Sequence, residues 1–136
     1  MATEFIDIVP VVACSDISAE QDFLVGVLGF ASAGLERTPD GTVVHGEVRA
    51  GARRIWLHLT SESAQLDTPT KLGGSGGGMV VHVRDVDAHF AAAKAAGAAI
   101  LSEPTDQPYG QREYGVRDPD GHSWWFATPL AAPALG

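Results

Sequence analysis

The order of apolar and polar residues predicts a strand and then a helix at the start of the chain. Residues 5–13 are mostly apolar and β-branched, and Pro10 within them places this strand at a sheet edge or next to a bulge. Asp16 and Ser18 then offer side-chain oxygens that can cap a helix. The positions that follow recur at helical spacing until Gly29 ends the predicted helix: Phe23, Leu24, Val27 and Leu28.

Three more strands follow in the first half of the chain, and the whole order then repeats. The predicted strands of the first half cover residues 31–37, 43–49 and 53–59, with turn signals between them. In the second half, a helix begins after Asp85 and ends at Gly97. The predicted strands around it cover residues 79–83, 99–102, 113–117 and 123–128. Each half therefore has the order βαβββ, and we predict an α+β fold in which two such modules form curved mixed sheets around a cleft.

A polar and glycine-rich segment separates the two halves. Residues 61–78 contain Pro69 and end in a run of glycine and serine that has few side chains to bury, which is typical of a flexible linker. A phosphate-binding loop is the competing interpretation, but such a loop leads into a helix, whereas the residues that follow are predicted to be a strand. The single domain therefore divides into module 1, the linker and module 2, which cover residues 4–62, 63–78 and 79–130.

A hairpin closes the second half. Residues 118–121 read Asp-Pro-Asp-Gly, the residue order of a tight turn, between two predicted strands. The second of these strands carries three aromatic residues in a row, Trp124, Trp125 and Phe126. Because strand side chains alternate between faces, Trp125 must point away from its two neighbours. We predict that Trp124 and Phe126 fill the core and that Trp125 faces the cleft.

Composition favours a globular, acidic protein that does not bind nucleic acid. The chain has 136 residues, of which 45% are apolar, and its formal net charge is -8. A nucleic-acid-binding surface needs positive charge to neutralise phosphates, whereas an acidic protein attracts a cationic or neutral ligand more easily. Cys14 is the only cysteine, so no intramolecular disulfide forms, and no stretch is long and apolar enough to span a membrane. We therefore expect a cytoplasmic protein without a membrane partner.

Three segments of the chain carry a resemblance to a known superfamily. They are residues 14–17 (Cys-Ser-Asp-Ile) with Phe23 and residues 28–30 (Leu-Gly-Phe) after them, residues 83–88 (Val-Arg-Asp-Val-Asp-Ala) and residues 116–122 (Val-Arg-Asp-Pro-Asp-Gly-His). With these segments in this order, nearly the whole chain resembles the vicinal oxygen chelate superfamily, which includes glyoxalase I, extradiol dioxygenases and bleomycin-resistance proteins. It is similar above all to the small glyoxalase/bleomycin resistance branch and its PhnB-like relatives. The resemblance implies a homodimer, often with modules paired or exchanged between subunits.

The resemblance also implies four strand positions that hold a divalent metal in the enzymes of the superfamily. Here these positions fall on Val9, His58, Gly78 and Trp125, of which only His58 has a side chain that binds metals. A stable metal site recruits three or four protein ligands with fixed geometry. We therefore expect no metal cofactor.

An aromatic and imidazole-lined cleft replaces the metal in this interpretation. Trp56 and His58 share one face of the fourth strand, His82 lies on the fifth, and Trp125 is predicted to face the same space. Flat conjugated ligands stack on indole rings, and a cation is attracted to the ring face. The competing interpretation is a metal site in which His58 and His82 meet and recruit Glu47.

Three residues before the closing hairpin are further ligand-binding candidates. Tyr109, Arg112 and Tyr114 are predicted to lie on the long connection that leads into the hairpin, where loops often close over ligands. Arg112 is a candidate for binding an anionic group. Of the other histidines, His122 is expected to bond within the hairpin and His89 to face solvent.

These features favour a small-molecule-binding protein over an enzyme. We expect a metal-independent protein that sequesters an aromatic or antibiotic-like ligand, as the resemblance to drug-resistance proteins implies. No nucleophile set and no catalytic residue stand out in the sequence. The alternatives are a metal-dependent glyoxalase-like lyase or isomerase, or an extradiol-type dioxygenase, that uses His58, and a structural or regulatory module without a ligand.

Overall fold

Two four-stranded sheets, one from each half of the chain, form the framework of the computed structural model, which describes residues 2–131. Module 1 contains β1 (Val11–Cys14), α1 (Ile17–Gly26), β2 (Ala31–Arg37), β3 (Val43–Ala50) and β4 (Arg53–Leu59). After α2 (Pro69–Leu72), module 2 contains β5 (Met79–His82), α3 (Val86–Ala95), β6 (Ala99–Asp106), β7 (Gln111–Arg117) and β8 (Ser123–Pro129). The strand orders are β1-β4-β3-β2 and β5-β8-β7-β6, and the first strand of each module pairs in parallel with the last. The predicted α+β fold of two βαβββ modules is confirmed.

Each long helix packs on its own sheet, and one hydrophobic core joins the two modules. Alternate residues of the central strands point into this core, where Val48 and Leu57 are completely buried. Phe30 connects the modules, because its ring centroid lies 5.4 Å from that of Trp124 and 6.0 Å from that of Phe126. The prediction that Trp124 and Phe126 fill the core is confirmed.

Both long helices begin at caps that the sequence predicts. The side chain of Asp16 accepts a hydrogen bond from the main-chain N–H of Ala19 at 3.1 Å, and Asp85 accepts one from Ala88 at 3.0 Å. Ser18, the other candidate cap, lies inside the first turn of α1 instead. Among residues 2–131, no helix is both long enough and apolar enough to cross a membrane.

The first strand is shorter than predicted. β1 begins at Val11, because Pro10 has no N–H to contribute to the ladder. The main-chain oxygen of Pro10 still accepts a hydrogen bond from Trp56 at 2.9 Å. Pro10, the last residue of the segment before β1, is therefore held beside β4.

The segment predicted as a flexible linker contains a short helix. Thr68 caps α2 by accepting a hydrogen bond from the main-chain N–H of Lys71 at 3.2 Å. Both the main-chain N–H and the hydroxyl of Thr70 donate to the main-chain oxygen of Asp120, at 3.1 and 2.9 Å. This part of the segment is therefore attached to the closing hairpin.

The carboxylate of Asp118 holds the closing hairpin together. It accepts hydrogen bonds from the main-chain N–H groups of Asp120 (3.1 Å) and His122 (2.9 Å), from His122 Nδ1 (2.9 Å) and from Trp124 Nε1 (2.8 Å). The expected hairpin bond of His122 is confirmed. Asp120 accepts hydrogen bonds from the main-chain N–H of Ser15 at 2.9 Å and from its hydroxyl at 2.6 Å. The hairpin of module 2 is thereby joined to the start of module 1.

A buried glutamate of α1 lies against the same turn. Glu20 is 1% exposed, and neither of its carboxyl oxygens accepts a hydrogen bond within residues 2–131. Burial, and then the neighbouring Asp118, raise the pKa of Glu20, so that it stays a neutral acid at neutral pH and can donate its proton to Asp118. Burial opposes the ionisation of Asp118, but hydrogen bonds from His122, Glu20 and Trp124 hold the pKa of Asp118 below its usual value. A neutral Glu20 therefore lies beside the ionised Asp118 at the junction of the modules.

We expect Glu20 to reduce the stability of the fold as the pH rises. The folded state keeps a proton on Glu20 that the unfolded chain releases above the ordinary carboxyl pKa of 4.5. The stabilisation is therefore complete below that pH and is lost on the alkaline side. In urea denaturation from about pH 5 to about pH 9, this group should lower the free energy of unfolding by up to about 1.4 kcal/mol per pH unit.

The matched variants separate this effect from other titrations. Glu20→Gln keeps the shape of the side chain and its ability to donate to Asp118 but cannot titrate, so its stability should depend less on pH. Glu36→Gln, on the exposed surface of β2, should keep the slope of the unchanged protein. Equal slopes for Glu20→Gln and the unchanged protein would show that Glu20 does not keep its proton in the folded state.

Candidate functional site

The side of the second sheet that faces away from the core carries the strongest candidate site, and we call it the outer face. Its central residue is Trp125 of β8, which pairs with Gly115 of β7 and Val80 of β5. Both chain neighbours of Trp125 are buried, so the indole points away from the core as strand alternation predicts. Arg117 and Glu113 lie on the same face of β7 as Gly115, one on each side of the indole.

Gly115 makes room for this indole, and Gly78 borders it on the other side. A Cβ atom on Gly115 would lie 2.4 Å from Cζ3 and 2.8 Å from Cε3 of Trp125, which is closer than real Cβ atoms come to other atoms. A Cβ atom on Gly78 would lie 3.7 Å from Nε1 of the same ring. The indole therefore rests against bare main chain. Sequence analysis missed Gly115, which lies three residues before the predicted turn at residues 118–121, whereas its partner Trp125 lies four residues after that turn.

A cavity of about 730 Å³ opens beside Trp125. Its walls include residues 73–78 of the glycine-rich segment together with Thr70, Arg117, Ser123 and Trp125. The segment predicted as a linker therefore forms one wall of the candidate site. Because the residues of this wall are small, a planar molecule can approach the indole.

A short chain of hydrogen bonds borders Trp125 on the side opposite Arg117. His82 Nε2 donates to Gln111 Oε1 at 3.0 Å, and Gln111 Nε2 donates to Glu113 Oε2 at 3.0 Å. His82 is exposed at this edge of the sheet, whereas Glu113 is only 7% exposed. This end of the outer face therefore presents a carboxylate, and the other end presents a guanidinium.

Trp56 and His58 lie on the corresponding face of the first sheet, together with His45 and Glu47. The pairs across β3 and β4 are His45 with His58 and Glu47 with Trp56. Trp56 Nε1 donates to Glu47 Oε1 at 2.9 Å, and hydrogen bonds, first of all this one, hold the pKa of Glu47 below its usual value. Neither Trp56 nor His58 lines the cavity beside Trp125. Within one chain, the candidate ligand-binding residues of the two sheets therefore lie on separate surfaces. They do not line one cleft together, as the sequence predicts.

The three candidates before the closing hairpin have different surroundings. Tyr114 is completely buried, because it lies on the face of β7 that points into the core, and burial raises its pKa. It does not contact the cavity, which contradicts the predicted ligand-binding role. Arg112 forms ion pairs with Asp87 and Asp106, both at 3.0 Å, so the predicted anion-binding group is already neutralised. Tyr109 is 67% exposed in the turn between β6 and β7, and its predicted role stays a prediction.

The prediction that His89 faces solvent is wrong. Its Nε2 donates to the main-chain oxygen of Leu28 at 2.7 Å, and its Nδ1 accepts a hydrogen bond from the hydroxyl of Tyr114 at 2.6 Å. Its ring stacks on Phe126 with centroids 4.1 Å apart. His89 therefore connects α3 to module 1, and helical spacing within α3 alone gives no sign of that distant partner.

The four positions that bind a metal in the resembled enzymes do not supply a suitable donor set here. Val9 and Gly78 have no donor atom in their side chains, and the indole of Trp125 offers only an N–H group. His58 remains, and its Nδ1 bonds to the main-chain oxygen of Leu59 at 2.7 Å. One imidazole does not make a stable site for a divalent cation.

Among residues 2–131, one group of three possible ligands has its donor atoms within 4.8 Å of one another: Glu20, Asp118 and His122. This group lies at the junction of the modules, where Asp118 already accepts hydrogen bonds from four N–H groups. We therefore interpret it as a structural hydrogen-bond network. His58 and His82 belong to no such group in the described residues, so the predicted metal site between them does not form within one chain.

Comparison with known proteins identifies a family and a curated relative. Residues 8–126 match the family model of the Glyoxalase/Bleomycin resistance protein/Dioxygenase superfamily. An uncharacterized protein of Mycobacterium tuberculosis is 32% identical over 124 residues, which cover 89% of this chain and 73% of that protein.

Several solved structures share the fold. TioX from Micromonospora sp. ML1 is 34% identical, with a TM-score of 0.72 over 90% of this chain and 98% of TioX. TnmS3, an antibiotic binding protein from Streptomyces sp. CB03234, is 24% identical, with a TM-score of 0.69 over 95% and 98% of the two chains. The bleomycin-binding protein of Streptomyces verticillus, solved with copper(II)-bleomycin, is 24% identical, with a TM-score of 0.65 over 97% and 100%. At these identities, the last two likenesses show the fold alone.

We expect Gly115→Ala to displace the indole of Trp125. The added methyl group would overlap the ring, so the indole must tilt into the cavity or the strands must separate, at a cost of about 1–3 kcal/mol in the free energy of unfolding. Near-ultraviolet circular dichroism and iodide quenching of tryptophan fluorescence should both change, and neither should change when Gly115→Ala is made in a Trp125→Phe background. Gly74→Ala, where no atom lies within 4 Å of the added carbon, is the matched control. An unchanged spectrum and stability for Gly115→Ala would contradict this packing.

Proposed function

Because the chain belongs to the glyoxalase/bleomycin resistance protein/dioxygenase superfamily, we propose that it binds a flat aromatic molecule without a metal and thereby sequesters an antibiotic-like compound. The observation that carries this proposal is the indole of Trp125, which rests on bare main chain beside a cavity of about 730 Å³. Stacking a planar ligand on such a ring removes apolar surface of both partners from water.

The same indole supports binding without a metal. Trp125 stands at a position where the resembled metal enzymes have a ligand, and an indole N–H donates a hydrogen bond but does not coordinate a cation. A stable metal site recruits three or four protein ligands, whereas the four positions of this chain supply only His58. Stacking and hydrogen bonds are therefore the interactions available to a ligand.

The surroundings of the possible nucleophiles favour sequestration over catalysis. Cys14 is completely buried, and burial raises the pKa of its thiol, which disfavours the reactive thiolate. The hydroxyl of Ser15 donates to Asp120 at 2.6 Å, and no histidine among residues 2–131 forms a hydrogen bond with it. Covalent catalysis needs a nucleophile paired with an activating base, and neither residue has that pairing.

Two of the similar structures are described by the small molecules they bind. TnmS3 is an antibiotic binding protein, and the Streptomyces verticillus protein binds bleomycin. A shared fold does not establish a shared function, so these proteins support the proposed class of ligand while the outer face of this chain supplies the physical reason.

Titration with a panel of planar aromatic antibiotics, spanning anthracyclines, quinolones and aminocoumarins, tests the proposal. Isothermal titration calorimetry in excess EDTA should detect binding, and Trp125→Ala should weaken it by about 1–2 kcal/mol, or roughly 5- to 30-fold, because the stacking surface is lost. Tyr109→Ala removes an exposed ring at the far end of β7 and shows whether that ring contributes as well. An affinity that Trp125→Ala leaves unchanged would overturn the stacking. Near-stoichiometric metal in protein purified without a chelator, lost in His58→Ala, would overturn metal independence.

We also propose that the protein is a homodimer in which a second copy covers the segment before β1 and part of the outer face. The segment before β1 exposes three large apolar side chains, Phe5, Ile6 and Ile8, at 88%, 98% and 85%. Val80 is 58% exposed on the outer face next to Trp125. A second copy that covers these groups would bury apolar area, and contiguous exposed apolar patches commonly mark such contacts.

Size-exclusion chromatography with light scattering should give twice the chain mass of 14.2 kDa. Placing charges in the exposed segment, as in the double variant Ile6→Asp and Ile8→Asp, should shift the protein to a monomer, because a buried unpaired carboxylate opposes association. Ala91→Asp, on the exposed side of α3, should leave the mass unchanged. A monomeric mass for the unchanged protein at micromolar concentration would rule out the dimer.

A further inference from the structure

We propose that the ligand of the outer face carries an anionic group beside its planar ring, and that Arg117 binds this group. The inference rests on the proposed function and names the chemical class of its ligand, an aromatic carboxylate or another aromatic oxyanion. It reverses the expectation from net charge, which favours a cationic or neutral ligand.

The guanidinium of Arg117 belongs to the same site as the indole. Arg117 pairs with Ser123 and Gly115 pairs with Trp125, so Arg117 lies two residues along β7 from the glycine beneath the ring. Two residues of a strand span about 7 Å. This spacing suits a ligand whose ring stacks on Trp125 while a substituent at its edge reaches the guanidinium. Both side chains line the same cavity.

No carboxylate of the described residues neutralises Arg117. It is absent from the ion pairs formed within residues 2–131. The nearest acidic residues along the chain are Asp118 and Asp120, which are 5% and 9% exposed. Asp118 is occupied by the N–H groups of its own turn, and Asp120 is occupied by Ser15. A guanidinium without an ion-pair partner among the described residues offers several N–H donors to an oxyanion. The resulting charge-assisted hydrogen bonds are strong.

The opposite end of the outer face disfavours an anion. Glu113 lies there, nearly buried, and is connected through Gln111 to His82. A carboxylate repels an anion and attracts an N–H donor or a cation. Arg112, the neighbour of Glu113 in β7, points to the opposite side of the sheet and is bonded to two aspartates. The ligand is therefore oriented with its anionic group toward Arg117 and with any donor group toward Glu113.

The net charge of -8 does not cancel the field of Arg117 inside the site. At physiological ionic strength, exposed charges more than about 8 Å apart are largely screened from one another. Among the described residues that line the cavity, Arg117 is the one charged side chain, and the others are glycine, serine, threonine, proline and tryptophan. The charge that a ligand in the cavity meets on its walls is therefore positive.

A pair of probes that differ only in charge tests this inference. Isothermal titration calorimetry at low salt would compare 2-naphthoate with 2-naphthamide, which has the same ring and nearly the same shape. The unchanged protein should bind 2-naphthoate about tenfold more tightly, and this preference should decrease as NaCl is raised. Arg117→Gln should bring the two affinities to about the same value without weakening 2-naphthamide, and Arg117→Lys should retain part of the preference. Arg112→Gln, the matched control, should keep it in full.

The outcomes distinguish this inference from the proposed function. If the unchanged protein binds both probes equally, or if Arg117→Gln keeps the preference for 2-naphthoate, the anionic subsite is wrong. Binding of both probes that Trp125→Ala weakens would still support the stacking site in that case. If neither probe shows binding that depends on Trp125, the proposed function and this inference both fail. Because Arg117 is exposed at the end of β7, its variants should fold, and far-ultraviolet circular dichroism verifies that they do.

Discussion

The hydrogen bonds accepted by Asp118 are the interaction on which the rest of the structure depends. A buried carboxylate without donors would cost several kcal/mol, and here the side chains of Trp124 and His122 and two main-chain N–H groups satisfy it. They hold the closing turn in one geometry. Module 1 then attaches to that geometry through the hydrogen bonds that Ser15 donates to Asp120, and the buried Glu20 of α1 packs beside the same turn. A single turn therefore organises one hairpin and also the junction between the two modules.

Fixing this turn also fixes the candidate site. A slip of β8 by one residue would move Trp124 out of the core and deprive Asp118 of a donor, so the register of the hairpin is strongly determined. With that register, Trp125 must lie on the outer face opposite Gly115, and Arg117 must lie beside them on the partner strand. The residues that stabilise the fold and the residues that can bind a ligand thus alternate along the same two strands.

The parts of this arrangement that can be predicted from the sequence are those in which cause and effect are close along the chain. The cap at Asp16, the closing turn and the opposite orientation of Trp125 to its neighbours each depend on a few consecutive residues. The errors arise where a distant segment decides. Tyr114 is in the core because of the register of β7, and His89 is half-buried because module 1 supplies an acceptor. Gly115 becomes meaningful only when its partner across the hairpin is known.

The net charge of the chain and the charge of a single residue also act over different distances. The net charge of -8 determines the field that a ligand meets at a distance, whereas Arg117 determines the field next to Trp125. A small anion without a ring is repelled on approach and gains only one exposed ion pair, which is worth less than about 1 kcal/mol. A ring without an anionic group gains stacking but leaves the guanidinium without a partner. The site therefore selects for a ligand that has both a planar ring and an anionic group, because only such a ligand contacts both Trp125 and Arg117.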